Sequence, residues 1–158
     1  MRLGNAPVTL DRMTQEDAET IAEWHYDPPF DFYDPRADDQ DLAELLNPAT
    51  RDGSYLTVRD SEGELVAFLQ LDDRDGVVDV GIGLRPDLTG RGLGLSFLEH
   101  GLTFARELFG PRRFRLQVAE FNRRAITVYE RAGFERTRSY PHETNGGVFR
   151  FVEMERPA

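Results

Sequence analysis

The chain carries 29 acidic residues against 19 basic ones in 158, a formal charge of −10, and no cysteine. The missing cysteine excludes disulfides, cysteine-ligated zinc and a cysteine nucleophile. The acidic balance disfavours nucleic acid, which is held by clustered basic side chains that replace phosphate counterions.

Apolar residues make up 39% of the chain and aromatics 11%, enough for a packed core, and the length suits one domain over residues 1–158. The charge suits a cationic partner such as a protonated amine, although solubility alone accounts for much of it. His25, His100 and His142 show no metal-ligand spacing, so no metal site is expected. No apolar run reaches the roughly 18 residues that span a bilayer. The N-terminus lacks a basic segment followed by an apolar one. The expectation is a soluble cytoplasmic protein, off the membrane and off nucleic acid.

Residues 7–13 read as a first strand with Val8 and Leu10 on one side. Thr14 and Asp17 have capping-box spacing, and the helix after them places Ala18, Ile21, Ala22 and His25 on one stripe, with Trp24 beside it. Pro28 and Pro29 forbid regular helix in the next stretch, YDPPFDFYD. There Tyr26, Phe30, Phe32 and Tyr33 interleave with Asp27, Asp31 and Asp34. Two readings stay open: an aromatic and acidic wall for an amine, or rings covering the core edge while the aspartates face water. Tyr26 and Phe32 are the first candidates for the wall.

Residues 38–46 read as a short helix burying Leu42, Leu45 and Leu46. Two strands, 54–59 and 64–71, are joined by Ser61-Glu62-Gly63, and a turn over 72–76 leads to a strand at 77–84. In that strand Val78, Val80, Ile82 and Leu84 alternate with Val77, Asp79, Gly81 and Gly83. The two glycines are expected to weaken or bulge it. A long helix follows, with Phe97, Leu98, Leu102, Ala105, Leu108 and Phe109 on its buried stripe and Gly110-Pro111 as its stop. A strand at 113–119 turns Phe114, Leu116 and Val118 inward. Asn122 caps the next helix, which places Ala125, Val128, Tyr129 and Ala132 on one face and ends at Gly133. A hairpin across Asn145-Gly146-Gly147 closes the chain.

The chemistry gathers where Gly90, Gly92 and Gly94 precede the long helix. The first amides of a helix lack internal partners, and the macrodipole adds partial positive charge. Glycines let an anion approach the backbone, so residues 91–95 read as a phosphate cradle. The alternative is a plain strand-to-helix loop that needs unusual φ angles. Neither G-x-x-x-x-G-K-[ST] nor G-x-G-x-x-G is present, which argues against a nucleotide-binding regulator.

The run LRPDLTGRGLG and the downstream AEFNRRAITVYERAGF resemble the GNAT N-acetyltransferase family. Its phosphate motif, Q/R-x-x-G-x-G/A, is matched by Thr89-Gly90-Arg91-Gly92-Leu93-Gly94 at all but the first residue. Its second motif is matched at Asn122, Ala125, Tyr129, Gly133 and Phe134. Together the two cover about the second half of the chain. The resemblance implies an α/β fold, a mixed and mostly antiparallel sheet flanked by about four helices. It implies acetyl-CoA as co-substrate, direct transfer to a primary amine of a small molecule or a protein, and often a dimer.

It further implies that two central strands part to admit the pantetheine arm, which bonds the backbone of Ile82, Gly83 and Leu84, with the Ile82 amide as oxyanion donor. The resemblance places the pyrophosphate at Thr89, Gly90, Arg91, Gly92, Leu93, Gly94 and Leu95. Asn122 and Arg124 lie close by, and Arg91, Arg123 or Arg124 approach the adenosine phosphate. It makes Tyr129 the general acid and the Tyr26–Asp34 segment the acceptor wall. Gln117 stands where members that acetylate protein N-termini often carry Glu. Asp79 and Glu120 are the nearby carboxylates for a base, with Asp79 the candidate; both also read as plain surface charges. A non-catalytic acyl-CoA sensor on the same fold is the competing reading.

Overall fold

The structure is a computed structural model that describes residues 7–51 and 53–158. The reading of the extreme N-terminus falls largely on residues 1–6, outside the described residues. The elements run β1 (Thr9–Arg12), α1 (Gln15–Ala22), α2 (Asp39–Leu46), α3 (Pro48–Arg51), β2 (Tyr55–Arg59), β3 (Leu65–Arg74), β4 (Val77–Leu84), α4 (Gly94–Phe109), β5 (Arg113–Ala119), α5 (Arg123–Arg131), β6 (Glu135–Thr144) and β7 (Gly147–Pro157). Short 3-10 turns occupy Phe30–Tyr33, Pro35–Ala37 and Pro86–Leu88. The strands form one seven-stranded sheet in the order β1-β2-β3-β4-β5-β7-β6. Every neighbouring pair is antiparallel except β4 and β5.

Strand alternation decides what each sheet face carries. Val78 and Val80 of β4, with Phe114, Leu116 and Val118 of β5, are buried in one cluster with Leu98, Leu102 and Ala105 of α4 and Ile126 of α5. The opposite face carries α1 and α2, where Ala18, Ile21, Ala22, Trp24, Leu45 and Tyr55 pack with Phe68 beside them. A fully buried side chain such as Phe97, 1% exposed, contributes about 1.5–3 kcal/mol on the apolar-burial scale. Gly101 lets α4 press close to the sheet, since a Cβ there would meet Leu69 Cδ1 at 2.8 Å.

Several sequence expectations change. His25 lies past the end of α1 and is exposed, and Trp24 is buried instead. Leu108 is 56% exposed and leaves the buried stripe, whereas Phe109 beside it packs on the core. The turn before β4 is only Asp75-Gly76: both have positive φ, 54° and 86°, and Arg74 pairs directly with Val77, the geometry of a two-residue hairpin. The α3 turn was not legible because Pro48 there opens a helix rather than ending one. β4 is not bulged at its glycines; its register with β3 is continuous from Val77 to Leu84.

Two aspartates tie the α1/α2 layer down. Asp17 completes the capping box with Thr14 and also receives Arg59 Nη2 from β2 at 2.6 Å. Asp38 caps α2 through the Asp41 amide at 3.0 Å. Its other oxygen accepts the Asn145 amide at 2.9 Å and the Thr144 hydroxyl, latching the tip of the β6–β7 hairpin. Donation from the Asn145 amide, then from the Asp41 amide, holds the Asp38 carboxyl below its usual pKa. A depressed acid contributes stability that is present above its unfolded-state pKa and lost as pH falls through the lowered value. The latch is therefore expected to loosen only below about pH 4. The protection factor of the Asn145 amide should fall there, and Asp38→Ala should abolish that fall.

Candidate active site

The parallel pair β4–β5 is joined only at Val77–Arg113, Val78–Phe114 and Asp79–Arg115, although both strands continue beyond it. From Val80 onward they part. Ladder alternation shows which backbone groups face the split. The Arg85 amide bonds the Val66 carbonyl, so the odd-numbered β4 residues address β3 and Val80, Ile82 and Leu84 address the opening. By the same logic the Glu120 amide bonds Arg150 on the β7 side, which leaves Gln117 and Ala119 facing the opening.

A cavity of about 800 Å³ runs through this split. On the α4/α5 face its wall includes Leu84, Thr89, Gly90, Gly92, Leu93, Gly94, Arg124, Ala125, Val128 and Tyr129. Gly90 and Gly92 have φ of 74° and 75°, a backbone that L side chains rarely adopt. The alternation of these residues with right-handed Leu93 is the backbone pattern of an anion nest, and it runs into the start of α4 at Gly94. Val128 lies 3.8 Å from where a Gly94 Cβ would stand, so α5 abuts this helix start. The Thr89 hydroxyl bonds the Pro86 carbonyl at 2.8 Å and closes the preceding turn. Arg91 is exposed, and the Leu95 side chain packs on the core. Neither side chain lines the cavity, so their part in the cradle is confined to the backbone.

Asn122 caps α5 by accepting the Ala125 amide at 3.1 Å. Ile126 is the residue of this helix sunk in the core. Of the stripe on its other side, Ala125, Val128 and Tyr129 line the cavity, Ala125 and Tyr129 also packing against the core, and Ala132 is buried in it. The Tyr129 ring stands edge-on to Phe134 at 6.3 Å. Burial, followed by the neighbouring Tyr33, pushes its hydroxyl well above the ordinary tyrosine range, so it keeps its proton.

On the α1/α2 face the same cavity is lined by Asp41, Glu44, Tyr55, Phe68, Gln70, Gly81, Gly83, Gln117 and His142. Gly81 and Gly83 matter here as empty space: the Phe68 ring lies where a Gly83 side chain would be. Burial raises the Asp41 pKa first, and the Asp38 and Glu44 carboxylates raise it further. Asp41 and Glu44 were missed in the sequence because one turn of α2 carrying acids reads as a solvated helix face. Tyr55 and Gln70 were recoverable from strand alternation, being cross-strand partners.

The aromatic segment spans the open end of the split, and all four of its rings line the cavity. The Tyr26 hydroxyl donates to the Leu84 carbonyl at 2.6 Å, and the Tyr33 hydroxyl accepts from the Ala119 amide at 3.1 Å. These are the last inward-facing groups of the two parted strands. Asp34 closes the segment by accepting the Tyr26 amide at 2.9 Å and pairing with His25 Nδ1 at 2.5 Å. Phe32 sits among Tyr33, Phe121, Phe149 and Phe151. Phe30 is turned the other way, beneath Arg124.

Two assignments are corrected. The Leu84 carbonyl is engaged by Tyr26 and the Gly83 backbone faces β3, so the backbone groups left open toward the split are those of Val80 and Ile82. Asp79 does not line the cavity: Arg115 Nε and Nη2 clamp both its oxygens at 2.8 and 2.9 Å, and Arg74 approaches at 3.2 Å. Glu120 lies near Arg150 at 3.6 Å, half exposed. Among the described residues no three His, Cys, Asp or Glu are grouped to hold a metal ion, and no helix is long and apolar enough to cross a membrane.

The chain is 40% identical over 85 residues to a mycothiol acetyltransferase of Propionibacterium freudenreichii subsp. shermanii, covering 50% of this chain and 27% of that protein. A mycothiol acetyltransferase of Streptomyces coelicolor is 37% identical over 112 residues, 68% of this chain and 32% of that protein. The chain thus spans about a third or less of these relatives. In fold it resembles spermidine N-acetyltransferase from Vibrio cholerae in complex with CoA and spermine, with a TM-score of 0.77, 20% identity and 95% of each chain covered. It also resembles a GNAT-family acetyltransferase from Bacillus anthracis, with a TM-score of 0.78, 14% identity and 97% and 96% covered. Residues 8–135 match the model of the acetyltransferase (GNAT) domain. With the parted strands, the glycine nest and Tyr129 on one cavity, and this match over most of its length, the chain belongs to the GNAT acetyltransferase family.

Proposed function

We propose that the chain transfers the acetyl group of acetyl-CoA to a cationic primary amine in one ternary complex. The observation that carries this reading is the single cavity through the β4–β5 split, with a glycine nest on one face and an aromatic, acidic wall on the other. Two substrates entering from opposite faces meet at the split without a covalent enzyme intermediate. The cysteine-free composition agrees with direct attack.

Acetyl-CoA supplies an activated acyl group when bound. The nest and the first amides of α4 hold its diphosphate, with Arg124 beside Gly90. Val80 and Ile82 offer backbone groups to its pantetheine arm. The Ile82 amide, directed into the split, stabilises developing oxyanion charge. Asp41 and Glu44 attract the ammonium form of the acceptor, and the rings of Tyr55 and Phe68 hold its carbon skeleton. The amine attacks as the free base, having lost its ammonium proton to water. Tyr129 gives its proton to sulfur as the carbon–sulfur bond breaks, and the proton shed by the attacking nitrogen, carried by water, restores the hydroxyl. The whole catalytic unit is one domain.

Calorimetry with CoA and a thiol-release assay with acetyl-CoA test this reading. The acceptor panel would hold a linear polyamine, an aminoglycoside, an amino acid and a peptide. The chain contains no lysine, so released thiol cannot arise from acetylation of its own lysine side chains. Binding of CoA with turnover on a cationic amine is expected. Binding without turnover on any amine would instead make the chain a sensor, and no heat with CoA would remove the cofactor assignment.

A further inference from the structure

The Arg124 guanidinium lies 4.1 Å from the centroid of the Phe30 ring, and its Nη1 lies 3.5 Å from the position a Gly90 Cβ would take. It is therefore held between the glycine nest and the aromatic segment. Arg124, Phe30, Tyr26 and Thr89 line both the large cavity and a smaller neighbour of about 370 Å³, so the stacked pair is the partition between them. Asp27 and Asp87 line the smaller cavity, which makes that side unfavourable for an anion. The phosphate-facing side of Arg124 is thus the side toward Gly90.

From this geometry we propose that Phe30, a residue of the acceptor segment, is a positioning residue for the cofactor: its ring fixes Arg124 over the phosphate nest. The proposal rests on the CoA-binding reading of the site. A free arginine side chain must lose rotamer freedom to meet a phosphate. Stacking on a ring removes part of that freedom beforehand, and a planar guanidinium can stack while its edge still donates to oxygen. The same contact links the two substrates. If CoA phosphate draws on Arg124, the segment carrying Tyr26 and Tyr33 is steadied, and by reciprocity an acceptor that orders the segment tightens CoA.

CoA affinity by calorimetry tests this, with thermal melting to establish that each variant folds. Phe30 is only partly buried, so Phe30→Leu should fold, and it is expected to weaken CoA about two- to five-fold, the range of an exposed cation–π contact. Phe30→Tyr, which keeps the ring, should bind as the parent does. Arg124→Gln should weaken CoA at least as much as Phe30→Leu. Adding Phe30→Leu to it should cost nothing further, because the ring then has no cation to hold. Unchanged affinity in Phe30→Leu, failure of Phe30→Tyr to preserve affinity, or additive losses in the double variant would overturn the proposal. A parent chain that bound no CoA would instead remove the reading on which it rests.

Discussion

Tyr129→Phe is expected to lower kcat by about 10²- to 10⁴-fold, the usual contribution of a positioned proton donor, while leaving CoA affinity near that of the parent. Tyr129 lines the cavity, and its ring packs against Phe134 without help from the hydroxyl. Because burial raises the hydroxyl's pKa, it stays protonated throughout the neutral and mildly alkaline range. No alkaline loss of kcat below about pH 10 should therefore come from Tyr129. Rising activity as the amine acceptor loses its proton is the pH dependence that should remain. Steady-state kinetics with a good acceptor, from pH 6 to 10, measures both. Near-full turnover of the phenylalanine variant would remove Tyr129 from the acid role and leave protonation of the thiolate to water.

The second large effect is expected at Gly83. A Cβ there would stand 2.2 Å from Cε1 of Phe68 and 2.6 Å from its Cζ. The ring is flanked by Trp24 at 6.1 Å and Tyr55 at 6.5 Å, so the direction open to it is the cavity it lines. Gly83→Ala should destabilise the fold by about 1–3 kcal/mol, as overpacking in a core does, and should narrow the acceptor half of the cavity. Gly81→Ala is the control: its nearest neighbour is Gln70 Cβ at 3.4 Å, and a small change is expected. Phe68→Leu should recover part of the loss in the Gly83→Ala background but cost stability alone, a non-additive pair. Urea unfolding of the four variants decides the matter. A Gly83→Ala variant as stable as the parent would mean that the ring does not occupy that space in solution.

The two halves of the site differed in how far they could be read from the residues. The cofactor half is local: a strand end, three glycines and a helix start lie within a few residues of one another, and the amides proposed to hold phosphate are placed by that short run alone. The cap at Asn122 and the tyrosine two turns later are likewise local. The acceptor half is assembled from Asp41 and Glu44 on α2, Tyr55 on β2, Gln70 on β3 and His142 on β6. None of these is adjacent in sequence to another element of the group, and each looks ordinary in its own element. The surroundings of Asp79 were hidden for the same reason. Its clamp is Arg115, 36 residues away, and only strand pairing brings the two together.

Periodicity and local chemistry determined the order of elements, the alternation of β4, the buried stripe of most of α4, the nest and the caps, since each depends on dihedral preferences and side chains within one or two turns of chain. Where the parallel pairing of β4 with β5 stops is a different kind of fact. It depends on long-range competition between ladder hydrogen bonds and the packing of α5 beside the split, so only the tertiary structure decided it. The same holds for what β4's glycines are for: to sequence they look like a weakness in the strand, and in the folded chain they are the room that Phe68 and the acceptor cavity occupy.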